Sequence, residues 1–94
     1  MDADQLAKVQ KALAEPKRLE ILTRIREMQG EGGVACSLVL QDIGVAQSTF
    51  SHHVGELVEA GLVSGCKDGK FMLLTVNEDT VNEYLREISQ RLLS

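Results

Sequence analysis

Apolar and polar residues follow a helical period over the first third of the chain. A first helix is predicted over residues 3–14, where Leu6, Val9 and Leu13 fall on one helix face. Pro16 suits the first turn of a second helix, predicted to run to residue 29, because a helix start does not use the N–H that proline lacks. The buried side of this second helix is predicted to be Ile21, Leu22, Ile25 and Met28.

The middle of the chain predicts two helices joined by a tight turn. A glycine-rich stretch forms a flexible connection and is followed by a short edge strand over residues 34–36. Ser37 is the predicted cap of a third helix, and Gly44 lies past its end, where a left-handed residue would turn the chain. A fourth helix over residues 47–60 follows. Its apolar face is predicted to be Phe50, Val54, Leu57 and Val58.

The last third of the chain predicts a β-hairpin and one more helix. Residues 62–66 and 71–76 are strand-like runs, and the Asp68-Gly69 pair between them favours a two-residue turn. Asn77 is the predicted cap of a last helix over residues 78–93. The apolar stripe of this helix is predicted to be Val81, Tyr84, Leu85, Ile88 and Leu92.

These elements predict a mainly α-helical fold with a small β-hairpin, in the order helix, helix, short strand, helix, helix, hairpin, helix. Two helices joined by a glycine turn and followed by a hairpin indicate a winged helix-turn-helix domain, with the hairpin as the wing. Residues 1–94 show no repeat or linker and are predicted to form one domain. The first and last helices carry more apolar surface than one small core can bury, which favours a homodimer interface over residues 3–14 and 78–93.

The start of the fourth helix carries the candidate chemistry. In a helix-turn-helix, the N-terminal residues of the second helix enter the major groove of DNA, where short polar side chains reach base edges and phosphates. The candidate contacts are Gln47, Ser48, Thr49, Ser51 and His52. The alternative for these residues is a solvated polar helix face. His53 falls beside the apolar face and is predicted to be a packed, hydrogen-bonded core residue.

The chain has few cations to offer to DNA. Lys67 and Lys70 flank the predicted wing tip, where they would contact phosphates or the minor groove, or would only keep the hairpin soluble. The net charge of −4 opposes nonspecific binding to nucleic acid, so affinity has to come from the placement of a few cations. The second helix has four more cations among several glutamates, and we expect a solvated mixed face there. These cations are Lys17, Arg18, Arg24 and Arg26.

Other classes of protein are disfavoured. Ser51 and His52 are adjacent on a helix and cannot face each other, and no phosphate-binding glycine loop is present, so we expect no enzyme. The adjacent His52 and His53 point to different helix faces, so we expect no metal site and no cofactor. The chain has neither the roughly 20-residue apolar run that spans a bilayer nor a signal-peptide pattern, which predicts a cytoplasmic protein without membrane contact.

Three segments of the chain, in this order, resemble the ArsR (ArsR/SmtB) family of bacterial transcriptional repressors. The segments are ALAEPKRLEIL over residues 12–22, QSTFSHH over residues 47–53 and EAGLV over residues 59–63. The resemblance spans nearly the whole chain. It implies a homodimer that binds double-stranded DNA at an inverted-repeat operator and represses until an inducer weakens the complex. It also implies that DNA contacts fall on Gln47, Ser48, Ser51 and His52.

The chain departs from this family at its metal sites and on the fourth helix. Many members have a Cys-x-Cys pair at the start of the third helix, where only Cys36 is present here. Another family site uses acids and histidines of the last helix, which contains no histidine in this chain. Gly55 stands where a basic or helix-favouring residue is usual, which costs about 1 kcal/mol of helix propensity and removes a candidate phosphate contact.

Cys36 and Cys66 remain as candidate sensors. Two cysteines are too few for a disulfide scaffold, so free thiols are expected in the cytoplasm. Both are predicted to lie at the small sheet, where an oxidant or an arsenical would join or modify them and tilt the wing. Two alternatives stay open. The cysteines are packing residues of a repressor without thiol sensing, or the domain binds another protein instead of DNA, as the net charge and Gly55 suggest.

Overall fold

The computed structural model describes the whole chain, from Met1 to Ser94. Its helices and strands are α1 (Ala3–Leu13), α2 (Pro16–Met28), β1 (Val34–Ala35), α3 (Cys36–Ile43), α4 (Gln47–Glu59), β2 (Val63–Asp68), β3 (Phe71–Val76) and α5 (Glu78–Leu93). Asp2 caps α1 by accepting a hydrogen bond from the Gln5 N–H at 2.8 Å, and Pro16 is the first residue of α2. The order of elements confirms the predicted winged helix-turn-helix fold.

The start of α3 differs from the prediction. β1 ends at Ala35 and the helix begins at Cys36, so the chain passes from strand to helix without an intervening residue. Ala35 occupies the cap position and makes no side-chain bond to the helix, and Ser37 is the second helical residue rather than the cap. Gly44 ends α3 as predicted, in a left-handed conformation with a φ of 77° that turns the chain into α4.

β3 is the central strand of a three-stranded antiparallel sheet in the order β1-β3-β2. Asp68 pairs with Phe71, so the two-residue turn of the wing is Gly69-Lys70, one residue later than predicted. Gly69 has a φ of 60°, and no residue other than glycine has a positive φ. Glycine at the first turn position matches a type II′ turn. A type I′ turn over Asp68-Gly69 would have required a positive φ at the aspartate.

The glycine-rich segment between α2 and β1 is a tight turn and not a flexible connection. Gly30 and Gly33 exchange two backbone hydrogen bonds, of 3.2 and 3.0 Å. Gly33 has a φ of 93°, and a Cβ atom there would lie 2.7 Å from the carbonyl oxygen of Leu74. Only glycine therefore lets the chain pass this close to β3.

The core is built around α2, which contacts α1, α3, α4 and β3. The largest fully buried side chains are Phe50, Ile21, Ile25, Leu57, Leu62, Leu74, Val9, Val39 and Val63. The helical period therefore identified most of the apolar side of α2 and α4. Met28 and Val58 are exceptions, since 37% and 44% of their surfaces are exposed. At the end of α2, Gln29 faces the sheet instead of Met28, and its Oε1 accepts the Val76 N–H at 2.8 Å.

α5 packs less than any other helix and has no buried residue. Val81 and Tyr84 of its predicted apolar stripe pack against the core, but Leu85 and Leu92 are 56% and 75% exposed within one protomer. Asn77 occupies the cap position as predicted, yet its side chain makes no cap bond. Its Nδ2 instead donates to the carbonyl oxygen of Gly61 at 2.8 Å, and its Oδ1 accepts from the Ser64 hydroxyl at 2.7 Å. None of the helices combines the length and hydropathy needed to span a bilayer.

Candidate nucleic-acid interface

The first two turns of α4 present a continuous polar surface to solvent. We call this surface the polar face of α4, and it consists of Gln47, Ser48, Thr49, Ser51 and His52, all exposed. Phe50, His53 and Leu57 are the buried residues of the same helix. Apart from Val58, the helical period therefore separated the outward and inward side chains of α4 correctly, including the two adjacent histidines.

The N-terminus of α4 leaves its first backbone donors open. Ala46 occupies the cap position, and no side chain caps the helix. The first N–H groups of a helix have no partner within the helix, and the helix dipole places partial positive charge there. A phosphate oxygen is the kind of group that such a terminus accepts. Backbone and polar side chains at this end of α4 thus suit the same anionic ligand.

The wing brings one of its two lysines toward α4. Lys70 in the turn, together with Gln47 and Ser51, lines a cleft of about 270 Å³ between the start of α4 and the wing. Its Nζ also lies 5.8 Å from the centre of the Phe71 ring. Lys67 is exposed on β2 and does not line this cleft. Neither lysine is in an ion pair, so both charges are available to an external anion.

The cations of α2 divide into two groups. Three of them are in ion pairs: Lys17 with Glu20 at 2.9 Å, Arg24 with Asp42 at 3.1 Å and Arg26 with Glu78 at 3.1 Å. For these the predicted mixed face is confirmed. Arg18 is different, because it is buried and has only 8% of its surface exposed. The prediction of a solvated Arg18 is wrong.

Arg18 lies against the inner side of α4. Its Nε donates to the Nδ1 of His53 at 3.3 Å, and 9% of the His53 surface is exposed. His53 is thus the packed, hydrogen-bonded histidine that the sequence predicts. Burial lowers the pKa of His53, and the charge of Arg18 lowers it further. Sequence reasoning missed the partner because its signal, a basic residue at an apolar position of α2, was assigned to the solvated face.

The two cysteines lie on opposite faces of the sheet. Cys66 is exposed on β2, directly opposite Leu73, and opposed residues of an antiparallel pair point to the same face. Gly65 and Leu74, one position along, belong to the other face. Cys36 lines a groove on that other face with Gly65 and Leu74. Both thiols are near the sheet, as predicted, but they do not share a site within one protomer.

Burial also raises the pKa of the Cys36 thiol. A raised pKa disfavours the thiolate, which is the form that attacks disulfides and binds metals. Both cysteines are free, and no group of three or more His, Cys, Asp and Glu side chains is placed to hold a metal ion. The structure therefore brings together the polar face of α4 and Lys70, and it separates the two candidate sensor residues.

The groove that contains Cys36 separates α4 from the sheet. Its volume is about 380 Å³, and its α4 side is formed by Ser51, Val54, Gly55 and Val58. A Cβ atom at Gly55 would meet no other atom within 4 Å, so neither packing nor a close contact requires glycine there. Because Gly55 has no side chain, the middle of α4 presents no side-chain contact between the polar face and the wing.

Comparisons with known proteins agree on the type of domain. The model of a helix-turn-helix domain family matches residues 13–66. The transcriptional regulator NmtR of Mycobacterium tuberculosis is 34% identical over 85 residues, which cover 90% of this chain and 68% of that protein. The arsenical resistance operon repressor of Staphylococcus xylosus is 32% identical over 92 residues, covering 98% of this chain and 81% of that protein.

A solved structure extends this similarity to three dimensions. It is the homodimeric winged helix-turn-helix DNA-binding domain of a possible ArsR-family transcriptional regulator from Mycobacterium bovis. The two chains superpose with a TM-score of 0.73 at 29% identity, over 97% of this chain and 83% of the other. Sequence and fold thus match the same group of proteins over nearly the whole length of the chain.

Proposed function

Because this chain belongs to the ArsR family of winged helix-turn-helix transcriptional regulators, we propose that it is a sequence-specific repressor that binds an inverted-repeat operator as a homodimer. The observation that carries the proposal is the polar face of α4. This face is exposed, follows the left-handed turn at Gly44 and shares a cleft with Lys70 of the wing. Repression is the activity named for the staphylococcal relative.

We assign different roles to the residues of this surface. Gln47 suits a bidentate contact to adenine, and the Ser48, Ser51 and His52 side chains suit single contacts to base edges in the major groove. Thr49 and the open N–H groups of α4 suit a phosphate. Lys67 and Lys70 add phosphate or minor-groove contacts, which contribute affinity without reading sequence.

The proposed dimer uses α1 and α5. The apolar stripe of α5 has no buried residue in one protomer, and Leu85 and Leu92 are largely exposed. A second copy would cover this stripe through a two-fold contact, which is the commonest arrangement for homodimers. The related domain from Mycobacterium bovis is homodimeric. A dimer also supplies the two α4 helices that an inverted repeat requires.

The test of DNA reading is fluorescence anisotropy with the inverted repeats of the protein's own promoter and with a scrambled duplex. We expect a salt-sensitive preference for the inverted repeat. Ser51→Ala and His52→Ala are each expected to weaken specific binding by about tenfold, because one base contact is worth roughly 1–3 kcal/mol. Their circular dichroism spectra should match that of the wild type, since both side chains are exposed.

Thr23→Ala is the matched control, because it removes an exposed α2 hydroxyl that bonds only to the carbonyl oxygen of Leu19. Equal affinity of the wild type for both duplexes would contradict the proposal. It would favour the alternative of a protein-interaction module, which predicts that a protein partner and no DNA is captured through α4. Unchanged affinity of both variants, with specific binding intact, would show that another face reads the DNA.

Release of the repressor from DNA by a thiol-directed signal is the second part of the proposal. An intramolecular disulfide is not supported, because Cys36 and Cys66 belong to opposite sheet faces and the Cys36 pKa is raised. Modification of a single thiol, Cys66 on the wing or Cys36 at the start of α3, is the form of the proposal that remains. Titration of DNA affinity with oxidant and arsenite, in the wild type, Cys36→Ser and Cys66→Ser, tests it. Identical curves would leave a repressor without cysteine sensing.

A further inference from the structure

Only two buried residues of the molecule carry a polar or charged side chain, Arg18 and His53, and they are bonded to each other. No buried side-chain nitrogen or oxygen lacks a partner, so the guanidinium nitrogens of Arg18 that make no hydrogen bond keep contact with solvent. Arg18 is in no ion pair with a carboxylate. Its one side-chain hydrogen bond goes to His53, so charge pairing does not explain why Arg18 lies against α4.

The bond is the only side-chain hydrogen bond between α2 and α4. The other buried side chains of these two helices are apolar, and apolar burial is not directional. A hydrogen bond depends on angle as well as distance. The Arg18–His53 bond therefore restricts the rotation of α4 about its own axis in a way that the apolar contacts do not.

Rotation of α4 matters because His53 follows directly on the polar face. Ser51 and His52 precede it by two residues and one residue, so any rotation that moves His53 moves both by the same angle. Base contacts require hydrogen-bond geometry at the edges of the bases. A rotation of α4 would thus disturb every proposed base contact at once and leave phosphate contacts of the wing in place.

We propose that Arg18 is a positioning residue that fixes the rotation of α4 through the neutral ring of His53 and so sets the specificity of DNA reading. This inference rests on the proposed function. Arg18 itself touches no base. Its effect is expected on the ratio of specific to nonspecific affinity, whereas the loss of a wing lysine would change both affinities together.

The protonation state of His53 is part of this arrangement. Its Nδ1 accepts from Arg18, so this nitrogen carries no proton and the ring is neutral. Arg18, His52 and Lys17 oppose protonation and Glu15 favours it, but burial has the largest effect and lowers the pKa. Acid would remove the acceptor and place two cations together.

Four variants distinguish a positioning role of Arg18 from a contribution to packing alone. His53→Asn keeps an acceptor near the site of Nδ1 and cannot titrate. Arg18→Met removes the donor, and His53→Leu removes the acceptor. The Arg18→Met/His53→Leu double variant replaces the pair by apolar side chains, a change that is often neutral for stability, and it keeps the test valid if a single variant fails to fold.

The measurement is the ratio of affinities for operator and scrambled duplex, by anisotropy, at about pH 7.5 and at successively lower pH values down to the acid limit of the folded wild type. At the higher pH we expect the ratio of His53→Asn to match that of the wild type. Arg18→Met and the folded double variant should lose about tenfold, the equivalent of one base contact. As the pH falls through the lowered pKa of His53, the wild-type ratio should fall, and the ratio of His53→Asn should fall less.

Amide spectra of the free protein provide a second readout that does not depend on DNA. The ¹H–¹⁵N shifts of residues 47–52 should change in Arg18→Met and in the double variant, and should stay near the wild-type positions in His53→Asn. Unchanged shifts of these residues and an unchanged affinity ratio in the folded double variant would overturn the inference. A wild type without operator preference would instead contradict the proposed function, and the amide shifts would still decide whether Arg18 positions α4.

Discussion

Burial assigns opposite roles to two adjacent residues, His52 and His53. The helical period alone predicts this division, since Phe50 and Leu57 flank His53 at three and four residues on the same face. What the period does not predict is the partner. Arg18 is 35 residues away in sequence, and a basic residue among glutamates looks like part of a solvated helix surface until the fold places α2 against α4.

The buried histidine also makes stability depend on pH. The pKa of His53 is lowered in the folded protein, whereas an unfolded histidine has a pKa of about 6.5. Below that value the unfolded state binds more protons, so the free energy of unfolding falls as the pH decreases from about 6.5 and levels off below the folded pKa. Well above about pH 6.5 the ring of His53 is neutral in both the folded and the unfolded state, so the pH no longer changes its contribution to the free energy of unfolding.

Urea unfolding at about pH 5.5 and about pH 7.5 measures this dependence. We expect the decrease in unfolding free energy between the two conditions to be smaller in His53→Asn than in the wild type. His52→Asn is the matched control at the neighbouring, exposed position and should keep the wild-type decrease. Equal decreases in all three proteins would mean that His53 does not contribute to the pH dependence.

At the level of elements, the sequence predicts those helix boundaries at which a proline or a glycine adopts a characteristic backbone conformation. Pro16 begins α2, and Gly44 ends α3 in a left-handed conformation. The start of α3 was not predictable from Ser37, because the adjoining strand determines where the helix begins. The wing turn lies one residue later in the chain than predicted, for a similar reason. The pairing of Asp68 with Phe71 sets the turn, and this register belongs to the sheet as a whole.

The exposed glycine in the middle of α4 gives a prediction at this scale. Gly55→Ala should raise the free energy of unfolding by about 1 kcal/mol, because alanine has the higher helix propensity and a Cβ meets no atom within 4 Å. Urea unfolding measures the change. Its DNA affinity should stay close to that of the wild type.

Gly55→Lys is expected to bind both operator and scrambled duplex more tightly than Gly55→Ala, because a cation between the polar face and the wing would meet phosphates rather than bases. Gly55→Gln serves as the uncharged control for side-chain length. If the lysine variant binds no more tightly than the glutamine variant, the middle of α4 does not face the DNA backbone.

At the level of the whole molecule, the isolated protomer leaves its last helix incompletely packed. The principal extents of the protomer are 45 × 26 × 21 Å, and α5 contributes no buried residue to the core. The sequence predicted this excess of apolar surface from the stripe of α5. It did not predict which ion pairs link its elements, because pairs such as Arg26–Glu78 join residues 52 positions apart.

A substitution in the exposed apolar stripe of α5 should disrupt the dimer without unfolding the protomer. Leu85→Asp should convert the dimer to a monomer, because it places a charge on the apolar surface that a second copy would cover. The protomer should keep its helical content, since Leu85 is 56% exposed. Size-exclusion chromatography with light scattering measures the mass, and anisotropy should show weaker operator binding.

Gln90→Asp introduces the same charge at an exposed polar position of α5 and is expected to leave the mass unchanged. A dimer of unchanged mass in Leu85→Asp would place the interface elsewhere on the molecule.

The side chain of Asn77 joins three elements at one point. It bonds to Gly61 after α4 and to Ser64 in β2, and its own residue immediately precedes α5. Its backbone N–H also donates to the carbonyl oxygen of Leu62 at 2.9 Å. In the proposed dimer, these bonds would tie α5, which makes the subunit contact, to the end of α4 and to the wing. A small change in the angle between two α5 helices would therefore alter the separation of the two α4 helices, which has to match the roughly 34–36 Å spacing of successive major grooves.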